Sequence, residues 1–198
     1  MLTKSERTTQ FILETVAPIF NKKGYFGTSM SDLTAATGLT KGSIYGNFEN
    51  KEQLALEAFN YNVMKVNGLL KKHVGLHKKA KDKLFALTEF YRGYKQYTGE
   101  FGGCPLINVG VDSAHQNPVL ANRVKQVVRK WKESLVRIIE QGIQDGNFRK
   151  SVKPEKLANL IFGMIEGGAF LTVIADDKRI MIDMMNEVDR IIERDLIK

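Results

Sequence analysis

Apolar residues return at every third or fourth position along nearly the whole of this 198-residue chain, the spacing of amphipathic helices. Strand signals are scarce. Alternating β-branched runs bounded by turn pairs are missing, and only four prolines interrupt the sequence. A chain patterned this way is expected to be all-α, with about nine helices packing their apolar stripes on one another.

Local punctuation sets the expected boundaries. Thr3 with Glu6 has capping-box spacing and opens a first helix whose Ile12, Val16, Ile19 and Phe20 share one face. Lys22, Lys23 and Gly24 close it, and Pro18 inside it removes one backbone bond and invites a kink. Thr28 or Ser29 caps a short second helix with Met30 and Leu33 inward, and Gly38 follows as a left-handed terminator. Thr40 then caps a third, carrying Ile44, Tyr45 and Phe48. Asn50 and Gln53 open a fourth, expected to reach Leu70, with the lysine-rich 71–83 as a connecting loop or frayed end.

Leu84, Leu87, Tyr91 and Tyr94 line a fifth helix, and Pro105 suits the first position of a sixth. A long seventh is expected from Pro118 to Gln144, with Val124, Val128, Trp131, Leu135, Ile138 and Ile139 inward. Pro154 opens an eighth, and Ile180, Met184, Val188, Ile191 and Ile192 mark a ninth. The expected division is 1–49 and 50–198, with helix 50–70 as a shared strut.

One cysteine, Cys104, excludes an intrachain disulfide framework and a multi-cysteine metal site. His73 and His77 have metal-ligand spacing, but the lysines around them would repel a cation, and no metal or cofactor is expected. The net charge of +8 suits a polyanionic partner, yet the excess sits in residues 51–150, so composition alone locates no nucleic-acid site. The lysines at 71, 72, 78, 79, 81 and 83 read as a solvated face, with an anionic-ligand patch as the alternative. Residues 157–175 approach the length of a membrane span, but Glu166, Asn159 and two glycines favour a buried bundle or interface helix. The polar N-terminus lacks the apolar core of a signal peptide, and a cytoplasmic protein without membrane association is expected.

Two short helices joined by a glycine-containing turn of three or four residues form a helix-turn-helix, whose second helix reads base edges in the major groove. In "LTKGSIYGNF" (39–48), Gly42 would let the helix approach the groove where a larger side chain would hold it away. Thr28, Ser29, Thr40 and Ser43 offer hydroxyls and helix N-terminal amides to phosphates, and Lys41 adds charge.

The stretch 12–59 resembles the N-terminal DNA-binding domain of the TetR family of bacterial transcriptional regulators. The landmarks are "FNKKGY", "TSM.DL...TGLTKGSIY.NF" and "NKEQL", in order and spacing. The resemblance implies a phosphate contact at Thr28 and the recognition-helix N-terminus at Thr40, Lys41, Gly42 and Ser43. It also implies DNA contact by Tyr45 and a phosphate contact by Lys51; Asn47 joins the same expected surface. Leu33, Leu39, Ile44 and Phe48 are structural by either argument. Gly46 departs from the family pattern, which has a larger side chain there, and this leaves the operator unreadable from a relative.

The rest of the chain agrees in length and helix count with the family's ligand-binding and dimerisation domain. The resemblance implies a homodimer through the two C-terminal helices, a palindromic operator on double-stranded DNA, and repression relieved by a small-molecule effector. Phe90, Tyr94, Phe101, Cys104, Trp131, Phe162, Glu166 and Phe170 are the pocket candidates, each with ordinary core packing as its alternative. Cys104 is either a buried small hydrophobe or a sensor of oxidants or electrophiles. Two rivals remain: a non-specific architectural DNA binder, and a hydrolase built on Cys104, His115 and Asp112. An enzyme is not expected, because no glycine-rich phosphate loop or metal motif is present.

Overall fold

A computed structural model describes residues 3–99 and 101–197. Ten α-helices follow one another among these residues: α1 Lys4–Lys23, α2 Met30–Thr37, α3 Lys41–Tyr45, α4 Lys51–Val74, α5 Ala80–Arg92, α6 Tyr94–Thr98, α7 Pro105–Ser113, α8 Pro118–Gln144, α9 Pro154–Ile174 and α10 Arg179–Ile191, with a π-helical turn over Ile192–Leu196. A single isolated β-bridge, Phe148 to Ile197, is the only extended pairing in the described residues. The chain is all-α.

Most boundaries sit where the capping chemistry puts them. Thr3 and Glu6 form a complete capping box, Asn50 Oδ1 accepts from the Gln53 amide at 2.9 Å, and prolines occupy the first turns of α7 and α9. α1 runs through Pro18 as one continuous helix. Three details differ from the sequence expectation. α4 continues past Leu70 to Val74, because Lys71, Lys72 and His73 are good company for a helix C-terminus. The fifth helix is split at Gly93 into α5 and α6: glycine is a weak helix former, and a Cβ there would lie 3.0 Å from the Tyr97 ring, a tight contact. Along α8, Val128, Trp131 and Ile138 are half-buried, and the buried seam is Leu120, Ala121, Val124, Val127, Leu135 and Ile139.

The chain divides into two compact units, residues 1–66 with 99–125 and residues 67–98 with 126–198. In the first, α1 packs on α2 and α7, and α2 on α3. Its core includes Ile12, Val16, Phe20, Leu33, Ile44, Leu54, Phe59 and Leu120, each at most 3% exposed. Buried polar groups stitch it across long sequence distances. Asn21 Nδ2 donates to the Phe101 and Gly103 carbonyls, Asn108 Nδ2 to those of Asn21 and Gly102, and Asn62 Nδ2 to that of Ala17.

In the second unit α10 lies against α9 and α5, burying Met181, Met185, Val188 and Ile191. Thr88 Oγ1 donates to Asp189 at 2.7 Å, and Arg92 pairs with the same carboxylate. α9 is long and apolar enough to cross a membrane by length and composition, a test that the core helix of a soluble protein also passes. It leaves Leu160, Phe170, Leu171, Val173 and Ile174 between 42% and 68% exposed.

Candidate nucleic-acid interface

Five residues make too short a helix to stand alone, so α3 is held by its flanks and its one buried side chain. Gly38 adopts the left-handed conformation at φ 68° and turns the chain out of α2. Thr40 caps α3, its hydroxyl accepting from the Ser43 amide at 3.1 Å and lying 2.9 Å from the Ser43 hydroxyl. Ile44 is fully buried, and Phe48, three residues past the helix, is 4% exposed. With those two residues inward, Thr40, Lys41, Gly42 and Ser43 are exposed and Tyr45 and Asn47 half-exposed. Lys41 Nζ stands 5.7 Å over the Tyr45 ring, and Asn47 is held by bonds to Thr9 Oγ1 and the Ser43 carbonyl. Polar groups and a cation beside a helix N-terminus make an anion-seeking surface.

The partner helix α2 is fixed just as locally. Ser29 and Asp32 form a capping box, and Lys23 Nζ donates to Asp32 at 2.6 Å. The hydrogen bonds from Lys23 and Ser29 hold the Asp32 carboxyl far below its ordinary value. Ser29 remains exposed.

Thr28 is a correction. Its side chain is turned inward, 1% exposed, with the hydroxyl donating to the Gly24 carbonyl at 2.6 Å, so it organises the α1–α2 turn and presents no hydroxyl to a phosphate. Lys51 is half-exposed and already employed: Nζ donates to the Tyr25 carbonyl at 2.6 Å and sits 4.4 Å over the Tyr25 ring. Burial pulls the Lys51 ammonium below its ordinary value, opposed by the charges of Asp112 and Asp32. An ammonium has three donors, and one bond to a carbonyl leaves two.

Residues 40–43 are thus exposed around the N-terminus of α3, with Tyr45 and Asn47 half-exposed beside them, while Thr28 is turned inward. The pocket candidates do not form one group. Phe101 and Cys104 belong to the first unit; Phe90, Tyr94, Trp131, Phe162, Glu166 and Phe170 belong to the second. Phe90 and Tyr94 are buried with ring centroids 6.1 Å apart, in a cluster with His73, Tyr91 and Tyr97. Trp131, Phe162 and Glu166 are half-buried, and Phe170 is 47% exposed. Cys104 is buried at the N-cap of α7. The hydrolase constellation is not assembled: His115 lies beyond the other end of α7, a helix roughly 14 Å long. Asp112 is bonded to the Tyr25 amide.

Two family models match the chain: "Bacterial regulatory proteins, tetR family" over residues 12–58, and "Tetracyclin repressor-like, C-terminal domain" over residues 80–188. The chain belongs to the TetR family. A TetR-family regulator of Cytophaga hutchinsonii is 36% identical, with a TM-score of 0.92 over 100% of this chain and 99% of that one. A second, from Chloroflexus aurantiacus, is 34% identical, with a TM-score of 0.94 over 99% of each. Among curated relatives, the HTH-type transcriptional repressor DhaR of Mycobacterium sp. (strain GP1) is 24% identical over 80% of this chain and 78% of its own. Like other TetR-family members, the protein is a DNA-binding transcriptional regulator, and the exposed residues 40–43 lie within the matched N-terminal region.

Two features of this region escape sequence reasoning. The inward turn of Thr28 and the clamp of Asp112 on Tyr25 join residues 4 and 87 positions apart, and only the first carries any local signal.

Proposed function

We propose that this TetR-family regulator is a cytoplasmic homodimeric repressor of a palindromic operator. Thr40, Lys41, Gly42, Ser43, Tyr45 and Asn47 would meet the major groove, with Ser29 and Lys51 on phosphates. The observation that carries this is the exposed, capped N-terminus of α3, free of bulky side chains at Gly42 and anchored from below by Ile44. Residues 1–49 then act as the DNA-binding region and 50–198 as the ligand-binding and dimerisation region, with α4 as a strut.

Dimerisation through α9 and α10 is supported by the apolar side chains that α9 leaves exposed. Two-fold symmetry would set the recognition helices roughly 34–36 Å apart on one face of the duplex. An effector that binds among Phe90, Tyr94, Trp131, Phe162, Glu166 and Phe170 would favour a different separation and lower DNA affinity by coupling. Oxidation or alkylation of Cys104 is a second route to release, favoured by its place at the N-cap of α7. Replacing Cys104 by Ser and following DNA release by peroxide tests that route; unchanged release removes it.

The test of the repressor itself is selection of duplexes from a random pool by the purified protein. An enriched palindrome is expected. Recovery of no enriched sequence would leave the protein a non-specific architectural binder.

A further inference from the structure

The C-terminus of α1 has an unusual end. Gly24 caps the helix at φ 74° and donates its amide to the Phe20 carbonyl, but its ψ of 173° carries the chain away before the next amide can reach back. The orphaned Tyr25 N–H finds its acceptor 87 residues on, in Asp112 Oδ2 at 2.6 Å. The carboxylate lies flat against the turn: a Cβ on Gly24 would fall 2.7 Å from Asp112 Oδ1. The neighbouring backbone groups are held as well, the Gly24 carbonyl by Thr28 Oγ1 and the Tyr25 carbonyl by Lys51 Nζ, both at 2.6 Å.

Three side chains therefore fix three successive backbone groups in the turn that delivers the chain to Ser29 and α2. Thr28 is part of the turn itself, and Lys51 comes from α4. Only Asp112 brings α7, which packs on α1, to bear on the entry to the helix-turn-helix. A charged acceptor makes a stronger bond to a backbone amide than a neutral one, so this bond is well suited to fix an angle.

We propose that Asp112 is a positioning residue for DNA binding: through the Tyr25 amide it sets the entry of α2, and so the placement of α3, without itself touching DNA. The proposal rests on residues 40–47 being the DNA-binding face.

The experiment uses the full-length protein and a duplex recovered by selection with the wild type. Asp112→Ala should weaken binding to that duplex tenfold or more, at a temperature where circular dichroism shows both proteins folded. The slope of log affinity against log salt should stay as in the wild type, because no phosphate contact is lost. Amide exchange at Tyr25 and across residues 29–33 should accelerate. Asp112→Asn, which keeps an acceptor for the amide, should recover affinity to within threefold of wild type; should the alanine variant not fold, Asp112→Glu, with its carboxylate displaced by one methylene, takes its place and should bind weakly. Affinity within twofold of wild type for Asp112→Ala, whatever its melting temperature, would make the residue merely structural and overturn the proposal. So would a fall of one unit in salt slope, or an asparagine variant as weak as alanine. A wild type that shows no preference for its duplex over a scrambled one fails for a different reason, in the face itself, and takes the proposal with it.

Discussion

Gly42→Ala should make the protein more stable and a worse DNA binder. Gly42 stands at the second position of α3, and a Cβ built on it meets nothing nearer than Thr40 Oγ1 at 3.9 Å. Alanine therefore fits the free protein without strain. It gains helix propensity and removes conformational freedom from the unfolded chain, together about 0.5–1 kcal/mol. For a chain of this size that is a rise in melting temperature of roughly 1–4 °C. On DNA the sign reverses. With Gly42 at the proposed point of closest approach, a methyl group there would displace the helix, and losing one good base-edge contact costs about 1–3 kcal/mol, so affinity should fall about fivefold or more. Gly46→Ala is the control. Its Cβ would sit 3.5 Å from the Gly42 and Ser43 carbonyls, in ordinary contact and at a negative φ, so it should stabilise similarly while leaving affinity within about twofold. Melting curves and fluorescence anisotropy on a selected duplex measure both effects. A Gly42→Ala protein that binds as tightly as wild type would refute the idea that this glycine serves close approach.

Other perturbations separate the roles of neighbouring residues. Lys51→Ala should weaken binding to all duplexes about equally and lower the salt slope by about 0.9; a lower melting temperature with an unchanged slope would confine the residue to its bond with the Tyr25 carbonyl. The Asp32 carboxyl is held below its ordinary 3.8, so the stability it gives is present above that value and drains away progressively as pH falls below it toward the lowered value of the folded protein. Wild type should lose more melting temperature between about pH 5 and about pH 3 than Asp32→Asn does, and parallel profiles would contradict this. Phe170→Glu with Ile174→Glu places charge on the exposed apolar side chains of α9 and should turn a dimer into a monomer in sedimentation equilibrium; an unchanged mass would move the interface elsewhere.

What the sequence disclosed and what it hid divide along one physical line. Helix starts were legible because their signals are local: Thr3 with Glu6, Thr40 with Ser43 and Asn50 with Gln53 each bond within a single turn. The starts of α8 and α9 follow from proline chemistry read directly from the chain, at Pro118 and Pro154, and the Asp-Gly-Asn after Gln144 marks the end of α8. The surface of α3 was legible too, since burying Ile44 and Phe48 forces residues 40–43 outward. Bonds across long stretches of chain left no such trace. Asp112 has the residue type and spacing of an orienter for a histidine, and its carboxylate instead accepts from the Tyr25 amide 87 residues back. Thr28 is hidden for a different reason: its bond to the Gly24 carbonyl spans only four residues, but it has the residue type of a phosphate ligand and the burial of a core residue. The division at Gly93 falls at a weak helix former inside an otherwise continuous apolar pattern, a local signal that the periodicity alone overrides.

The central claim is that the face built on residues 40–47 reads sequence, and equilibrium competition addresses it most directly. A labelled selected duplex is challenged at fixed salt with itself and with a scrambled duplex of the same length and composition. Specific recognition requires a preference of about 10³-fold or more for the selected site. Equal competition by the two duplexes would show a protein held by phosphates alone, and the account would fail.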